Sequence, residues 1–257
     1  VVGKQQYATV WAREAAEGAR RAAQTAPAGL NRTQIVRAAL EILDAEGLDS
    51  LSMRRLGTKL GVGATSLYWY VANKGELIDL AMDEVYGEVA LPPAAGIGWR
   101  EAAKVFAHSL HRTLLRHPWA TRILGARPAM GPNAMDLSER AMALFEDAGF
   151  TGTDIDYALS TVMSFTLGLS VSEASWAETL KSSRMSDDEW MAQHTEALRT
   201  ALAGRPRLAA IHAKLLAEDG PPARQARFDY GLDAILDGLA ARLDARRQEP
   251  AHAEDVR

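Results

Sequence analysis

The stretch Ser52-Met53-Arg54-Arg55-Leu56-Gly57-Thr58-Lys59-Leu60-Gly61-Val62-Gly63-Ala64-Thr65-Ser66-Leu67-Tyr68-Trp69-Tyr70-Val71 carries two short helical patterns separated by a glycine-containing turn. Ser52 offers the side-chain oxygen of a helix N-cap, and Met53, Leu56 and Leu60 recur at a spacing that makes one inward stripe. Gly61-Val62-Gly63 supplies the tight turn. A further helix is predicted over 64–71, anchored by Leu67 and Val71 four residues apart, which leaves Thr65, Ser66 and Tyr68 on other faces. Small residues at Gly63 and Ala64 let its start approach a groove closely. Two short helices whose second keeps a free outward face are what a helix-turn-helix needs. The same spacing also suits a compact helical bundle that merely carries surface charge.

Outward from this stretch the punctuation stays helical. Asn31 can cap an upstream helix, Gln34 stands where a capping-box partner belongs, and Ile35, Ala39, Ile42 and Leu43 form its apolar face. Gly47 ends it. Asn73-Lys74 opens a longer helix that runs to about Glu88. Arg54, Arg55 and Lys74 are placed to neutralise phosphate charge on either side of a groove. Pro92-Pro93-Ala94-Ala95-Gly96 then breaks the pattern and is the best candidate for a domain boundary. Further helices are predicted near 99–117, 119–125, 132–148, 152–179, 186–203, 206–217 and 223–246. With no internal repeat and no alternating strand pattern, the expected fold class is all-α. Residues 1–28 read as a polar, Ala-rich segment bearing Lys4, Arg13, Arg20 and Arg21, and residues 248–257 as a frayed tail.

Composition removes several function classes. There is no cysteine, so a disulfide framework, a thiolate metal site and cysteine nucleophilic catalysis are excluded together. No run approaches the roughly 18 apolar residues of a membrane helix. The start of the chain lacks the apolar core and cleavage site of a secretory signal, so it reads as a processed or partial cytosolic N-terminus and the expected location is the cytoplasm. A net charge of −4 argues against a nucleic-acid partner, but its distribution argues the other way. Residues 1–80 hold ten Lys and Arg against eight Asp and Glu, and the rest of the chain holds 19 against 25. The basic side is therefore the N-terminal third. His108 and His111 could share a helix face, yet no carboxylate pattern completes a metal-ligand set, and no metal or other cofactor is expected. Without a phosphate loop, a Gly-x-Ser-x-Gly elbow or a clustered acid–base set, nothing announces an enzyme.

The order Thr33-Gln34-Ile35-Val36-Arg37-Ala38-Ala39-Leu40, Glu46-Gly47, Ser52-Met53-Arg54-Arg55-Leu56, Lys59-Leu60-Gly61-Val62, Ser66-Leu67-Tyr68-Trp69-Tyr70-Val71 and Asn73-Lys74 resembles the DNA-binding domain of the TetR family without a gap from about Leu30 to Asp79. Trp99, Leu124-Gly125-Ala126-Arg127-Pro128, Gly149-Phe150 and Ser164-Phe165-Thr166-Leu167-Gly168 are similar to the tetracycline-repressor type of C-terminal domain. The resemblance implies a one-component repressor divided into an N-terminal extension (1–29), a three-helix DNA-binding domain (30–76), a ligand-binding and dimerisation domain (77–247) and a tail (248–257). It further implies that Arg54 reaches a base or phosphate, that Ala64, Thr65 and Ser66 face the major groove, that Tyr68 and Lys74 clamp phosphates beside Arg55, and that Trp69 borders the groove. Tyr70 replaces a histidine frequent at that place, and Ala64-Thr65 replace more polar residues, so a different operator sequence is expected. The alternative is a helical binding or catalytic domain that has lost DNA affinity. Retained Arg54, Tyr68 and Lys74 speak against it.

Such heads read two half-sites, so a homodimer on double-stranded operator DNA is expected. The helix from Ile155 and the last helix are apolar over more than one face, which a dimer buries more easily than a single chain does, although an internal core helix has the same pattern. By the resemblance these two helices form an intersubunit bundle, with Leu159, Phe165, Leu232, Ile235, Leu236 and Leu239 at the interface. Phe106, Leu110, Trp119, Ile123, Met142 and Phe145 make an aromatic and Met-rich set suited to an adaptable pocket for a small-molecule inducer, and Met163 joins it, although most of them taken singly read as core before pocket. Arg127 at a helix break could meet a ligand oxygen, and a surface role suits it equally well. Tetracycline-binding members carry histidines where this chain has Ile123 and, near the end of the fourth helix, Val89 and Ala90. The expected inducer is thus a more apolar molecule held without magnesium.

Overall fold

The computed structural model describes residues 10–11, 30–217 and 221–248. The predicted linker character of 25–29 and the fraying of the tail fall outside them. Among the described residues the secondary structure is helical throughout, in eleven α-helices and one 3-10 turn: α1 Arg32–Glu46, the turn Leu48–Ser50, α2 Met53–Leu60, α3 Ala64–Leu67, α4 Lys74–Gly87, α5 Trp99–Arg116, α6 Pro118–Thr121, α7 Pro132–Ala148, α8 Thr153–Ser183, α9 Asp187–Leu202, α10 Pro206–Ala217 and α11 Pro221–Gln248. No helix among them is long and apolar enough to cross a membrane.

The chain divides into two compact units, one ending at Ala148 and one starting at Gly149. In the first, Asn31 and Gln34 form the reciprocal capping box, and Gly47 closes α1 at φ 80°, where a side chain would be strained. Ile35, Ala39, Ile42 and Leu43 are buried, as are Leu56 of α2 and both anchors, Leu67 and Val71. α1 packs on α2 and α4, and α2 packs on α3. The second short helix ends sooner than its pattern predicts. After Leu67 the chain turns, and the Tyr70 and Val71 amides both donate to the Leu67 carbonyl at 3.0 and 3.1 Å. Three aromatics and a β-branched residue give this segment little propensity to continue, and Asn73 already caps α4 by accepting from the Glu76 amide.

The proline break at Pro92 does not separate compact units. The Ala90 amide donates to Ser109 Oγ on α5 at 2.8 Å, Arg140 Nη1 on α7 reaches the Leu91 carbonyl, and Val89 and Leu91 are buried. The break is stitched into the packing of α4, α5 and α7.

In the second unit, α8 and α11 pack along their length. The face α8 buries consists of Ala158, Val162, Thr166, Ser170 and Ala174, one residue every four. Its two hydroxyls are satisfied by the carbonyl four residues back, at 2.9 and 2.7 Å, so the stripe is small without leaving a polar group unpaired. α11 answers with large residues: Phe228, Leu232, Leu236, Leu239 and Leu243 are all buried. Phe165 and Phe228 meet with centroids 5.5 Å apart.

Candidate functional site

Because Leu67 and Val71 are fixed in the core, Tyr68 and Trp69 between them project outward. Thr65 is exposed, Tyr68 is 51% and Trp69 66% exposed, and Arg54 stands exposed on α2. Two large aromatics held in water by an otherwise well-packed head form a surface suited to a nucleic-acid groove rather than to a core. Ala64 and Ser66 lie half-buried at the start of α3. Arg55 is exposed but paired with Glu46 of α1. An exposed pair of this kind contributes at most about 1 kcal/mol and yields readily to a phosphate.

Two of the predicted DNA residues have work inside the head. Lys74 Nζ donates to the Leu48 carbonyl at 2.8 Å, tying the start of α4 to the 3-10 turn and leaving two donors. Tyr70 donates its phenol to the Leu30 carbonyl at 2.8 Å, which braces the entry of α1. The contact spans forty residues, and no local pattern announces it.

Gly57 also went unread in the sequence. It lies inside α2 at the crossing with the turn, where a Cβ would stand 2.7 Å from the Val62 carbonyl oxygen and 3.2 Å from the Ala64 nitrogen. Both are backbone atoms, so neither gives way by a rotamer change. Gly57→Ala is expected to destabilise the head by about 1–3 kcal/mol, even though alanine is the better helix former. Chemical denaturation of the two proteins measures it, and an equal or higher midpoint for the variant would refute the close approach.

Of the side chains predicted to meet a ligand, the structure brings two together. Ile123 and Arg127 line a cleft with Met82, Tyr86, Leu124 and Met130, in which Asp79, Asp83 and Trp11 also take part. Its volume is about 20 Å³, room for roughly one water. Arg127 does not point a free charge into it. Its Nε donates to one oxygen of Asp79 and its Nη2 to the other at 2.8 Å, with Nη2 also 3.3 Å from the Gly75 carbonyl. Asp83 is engaged too, accepting from the Asn133 and Ala134 amides at the start of α7. Tyr86 has its phenol pKa pushed above the ordinary value by burial first and by Asp83 second.

The other predicted ligand residues lie elsewhere. Phe106, Leu110 and Phe145 are fully buried core side chains, Phe145 with Trp99 at a centroid distance of 6.3 Å. Trp119 is buried and donates its indole N–H to Asp44 of α1 at 2.7 Å. Met142 is exposed on α7, and Met163 lies half-buried on α8 in the second unit. Among the described residues no group of three or more His, Cys, Asp or Glu is placed to hold a metal ion.

The residues predicted for a dimer interface divide between two faces of α8 and α11. Leu232 and Leu236 are buried in the seam within one chain, while Leu159 and Phe165 are half-buried. Ile235 and Leu239 line an open groove of about 740 Å³ with Tyr157, Ala158, Thr161, Ala234, Gly238 and Arg242.

Residues 35–81 match the family model described as bacterial regulatory proteins, tetR family, and residues 92–243 match the tetracyclin repressor-like C-terminal domain. The second match begins at the Pro92 break, and residues 82–91 lie between the two. An HTH-type transcriptional regulator of Saccharopolyspora erythraea is 39% identical over 212 residues, covering 82% of this chain and 85% of that protein. The tetracycline repressor protein class D of Escherichia coli is 32% identical over 225 residues, covering 86% and 94%. The crystal structure of the TetR family protein ActR of Streptomyces coelicolor in complex with actinorhodin superposes with a TM-score of 0.67 at 34% identity, covering 84% of this chain and 99% of that one. With a helix-turn-helix whose reading face is open and a C-terminal domain matched over most of its length, this chain belongs to the TetR family of DNA-binding transcriptional repressors, which are not enzymes.

Proposed function

We propose that this protein acts in the cytoplasm as a homodimer that occupies an operator through Thr65, Tyr68, Trp69 and Arg54 of each chain, and that a small, largely apolar molecule bound without magnesium releases it. The observation that carries this reading is the double membership of α4. Its first residue, Lys74, is tied to the head through the Leu48 carbonyl, and Asp79, Met82, Asp83 and Tyr86 on the same helix wall the cleft. A molecule that widens the cleft pushes α4 and the 123–131 segment apart, and a shift of α4 carries the head with it.

The chemistry of the inducer follows from what the cleft lacks. Ile123 stands where tetracycline-binding members present an imidazole, and the buried Val89 takes the place of a second. Met82, Leu124 and Met130 supply apolar, deformable walls. ActR holds actinorhodin in its crystal structure, which makes that compound the first probe to try. The groove on α8 and α11 is assigned to a second copy of the chain. Its floor of Ala158, Thr161, Ala234 and Gly238 lets helices approach closely, and a two-fold axis would pair Ile235 and Leu239 with their equivalents.

Calorimetry tests the reading, using a duplex selected by the protein from a randomised pool and actinorhodin as the probe. Linkage requires the ligand and the duplex to weaken each other by the same factor, of order 5–150-fold for typical allosteric coupling. EDTA should leave the ligand affinity unchanged, and magnesium with tetracycline should have no effect on DNA binding. A ligand affinity that is identical with and without the duplex would rule out ligand-released repression.

A further inference from the structure

His117 occupies the corner between α5 and α6, with φ −118° and ψ 63°, and is only 7% exposed. Its Nδ1 lies 2.7 Å from Asp44 Oδ1 on α1, and its Nε2 lies 3.1 Å from Glu88 Oε2 at the C-cap of α4. A neutral imidazole has one N–H, so it can donate to one of these carboxylates and must turn a lone pair toward the other. The imidazolium donates to both. The geometry thus fits one protonation state and is frustrated in the other.

The surroundings are specific. Asp44 Oδ1 also accepts the indole N–H of Trp119 at 2.7 Å, and Glu88 Oε2 pairs with Arg116 Nη2 at 2.9 Å. The charged groups facing the ring are Asp44 from α1 and Glu88 from α4, with Arg116 of α5 reaching it through Glu88. From α6 comes the neutral indole of Trp119, packed edge-on at 6.4 Å. Arg122 and Asp49 make a second, exposed pair nearby in the chain, at 3.2 Å.

We propose that His117 is a positioning residue for DNA binding: as an imidazolium it clamps α1 of the reading head to the end of α4 and to the α5–α6 corner, and loss of its proton loosens the head. Its partners are Asp44, Glu88 and Trp119, and none of these is a groove-facing side chain. It acts through α1, whose packing on α2 sets where the reading helix stands.

The direction of the pH effect follows. The hydrogen bond to Asp44 raises the His117 pKa, burial opposes it, and the bond to Glu88 adds to the rise, leaving it above the ordinary value of 6.5. The clamp's contribution is therefore complete below that ordinary value and is lost as pH rises through the raised one. DNA phosphates do not titrate in this range, so a matching loss of affinity must come from the protein.

The test is duplex affinity by fluorescence anisotropy from about pH 6 to about pH 9, the interval in which histidines change charge, for wild type, His117→Gln and Asp44→Asn. A duplex selected by the wild type serves as probe, and NMR of labelled histidine rings in the free protein follows the titration directly. For the wild type, affinity should fall on the order of tenfold across the His117 titration, within the usual range of coupling between a positioning group and a binding site. His117→Gln should be weak throughout and vary less than about twofold over the same range, since its side chain cannot become a cation. Asp44→Asn keeps the ring but removes its strongest partner, and should move both the NMR midpoint and the affinity profile to lower pH. This second variant decides the matter if the glutamine variant fails to fold. Parallel pH profiles in wild type and His117→Gln, or a His117 midpoint at or below the ordinary value, would overturn the proposal.

Discussion

Replacing Gly238 with lysine should leave each chain folded, convert the protein to monomers and lower its affinity for operator by at least about 100-fold. Gly238 lies on α11, exposed on the open side of the α8–α11 pair, and a Cβ there meets nothing within 4 Å in its own chain. A lysine at that position therefore clashes with nothing in the monomer. It should even favour the helix, because glycine is worse than most residues in a helix interior by about 0.5–1 kcal/mol. In the proposed dimer the same side chain would enter a closed interface beside Arg242, which lines the groove one turn further on. An uncompensated buried charge costs about 3–5 kcal/mol, and two-fold symmetry places one on each chain. Every 1.4 kcal/mol is about tenfold in an equilibrium constant, so subunit association should fail at working concentrations. A monomer reads one half-site, and operator affinity falls with assembly. Sedimentation equilibrium reports the monomer, circular dichroism checks that the helices persist, and anisotropy reads the DNA. If the variant remains dimeric, the groove is not the subunit interface.

The placement of that substitution shows where periodicity stops being informative. α11 carries a long apolar stripe, and the family resemblance places Leu232, Ile235, Leu236 and Leu239 together at a subunit interface, where a core helix would show the same pattern. Spacing says which residues share a face, and nothing in it says which neighbour covers them. In the structure Leu236 is fully buried on the side of α11 that packs on α8 of its own chain, so a charge there would test that packing and not the dimer. The clue to the seam was available on the opposite helix. Ala158, Val162, Thr166, Ser170 and Ala174 repeat every four residues and are mostly small, which marks a face that another helix approaches closely.

Local signals carried well where the physics is local. The Asn31–Gln34 box, the Ser52 and Asn73 caps and Gly47 fix helix ends through atoms three or four residues apart, and α7 begins at Pro132 and ends at Ala148 as its pattern predicts. The reading face was legible for the same reason, since Leu67 and Val71 decide what must point away from the core. What escaped the sequence is set by partners far along the chain: Tyr70 on Leu30, Gly57 against the Val62 carbonyl, His117 between Asp44 and Glu88, and Arg127 on Asp79. Each is a polar or steric match 5 to 73 residues apart in sequence that only the packed helices create.

Arg127 supports the second large effect. Asp79→Ala is expected to destabilise the protein by about 2–4 kcal/mol and to weaken the coupling between ligand and operator more than it weakens either binding event. The Asp79 side chain is 4% exposed and that of Arg127 28%, and the two meet through paired N–H donors on both carboxylate oxygens. Breaking a buried pair by removing one partner typically costs about 3–5 kcal/mol, and the partial exposure of the arginine lowers that figure. Replacing both residues with apolar ones of similar size should cost far less, because no charge is then left without its counter-ion. Asp79→Leu with Arg127→Met is the control, and the double-mutant cycle gives the interaction energy directly. The functional consequence rests on position. Asp79 belongs to α4 and Arg127 to the segment between α6 and α7, so the pair is a direct link, the charged one, by which a displacement of that segment reaches the helix that starts at the reading head. With the link removed, a molecule in the cleft can move the segment while α4 stays, and the mutual weakening of ligand and duplex should shrink toward no effect. Chemical denaturation and paired calorimetric titrations measure the two outcomes separately. A variant as stable as the wild type would mean that the pair contributes nothing, and a destabilised variant with full coupling would mean that the signal reaches α4 by another route.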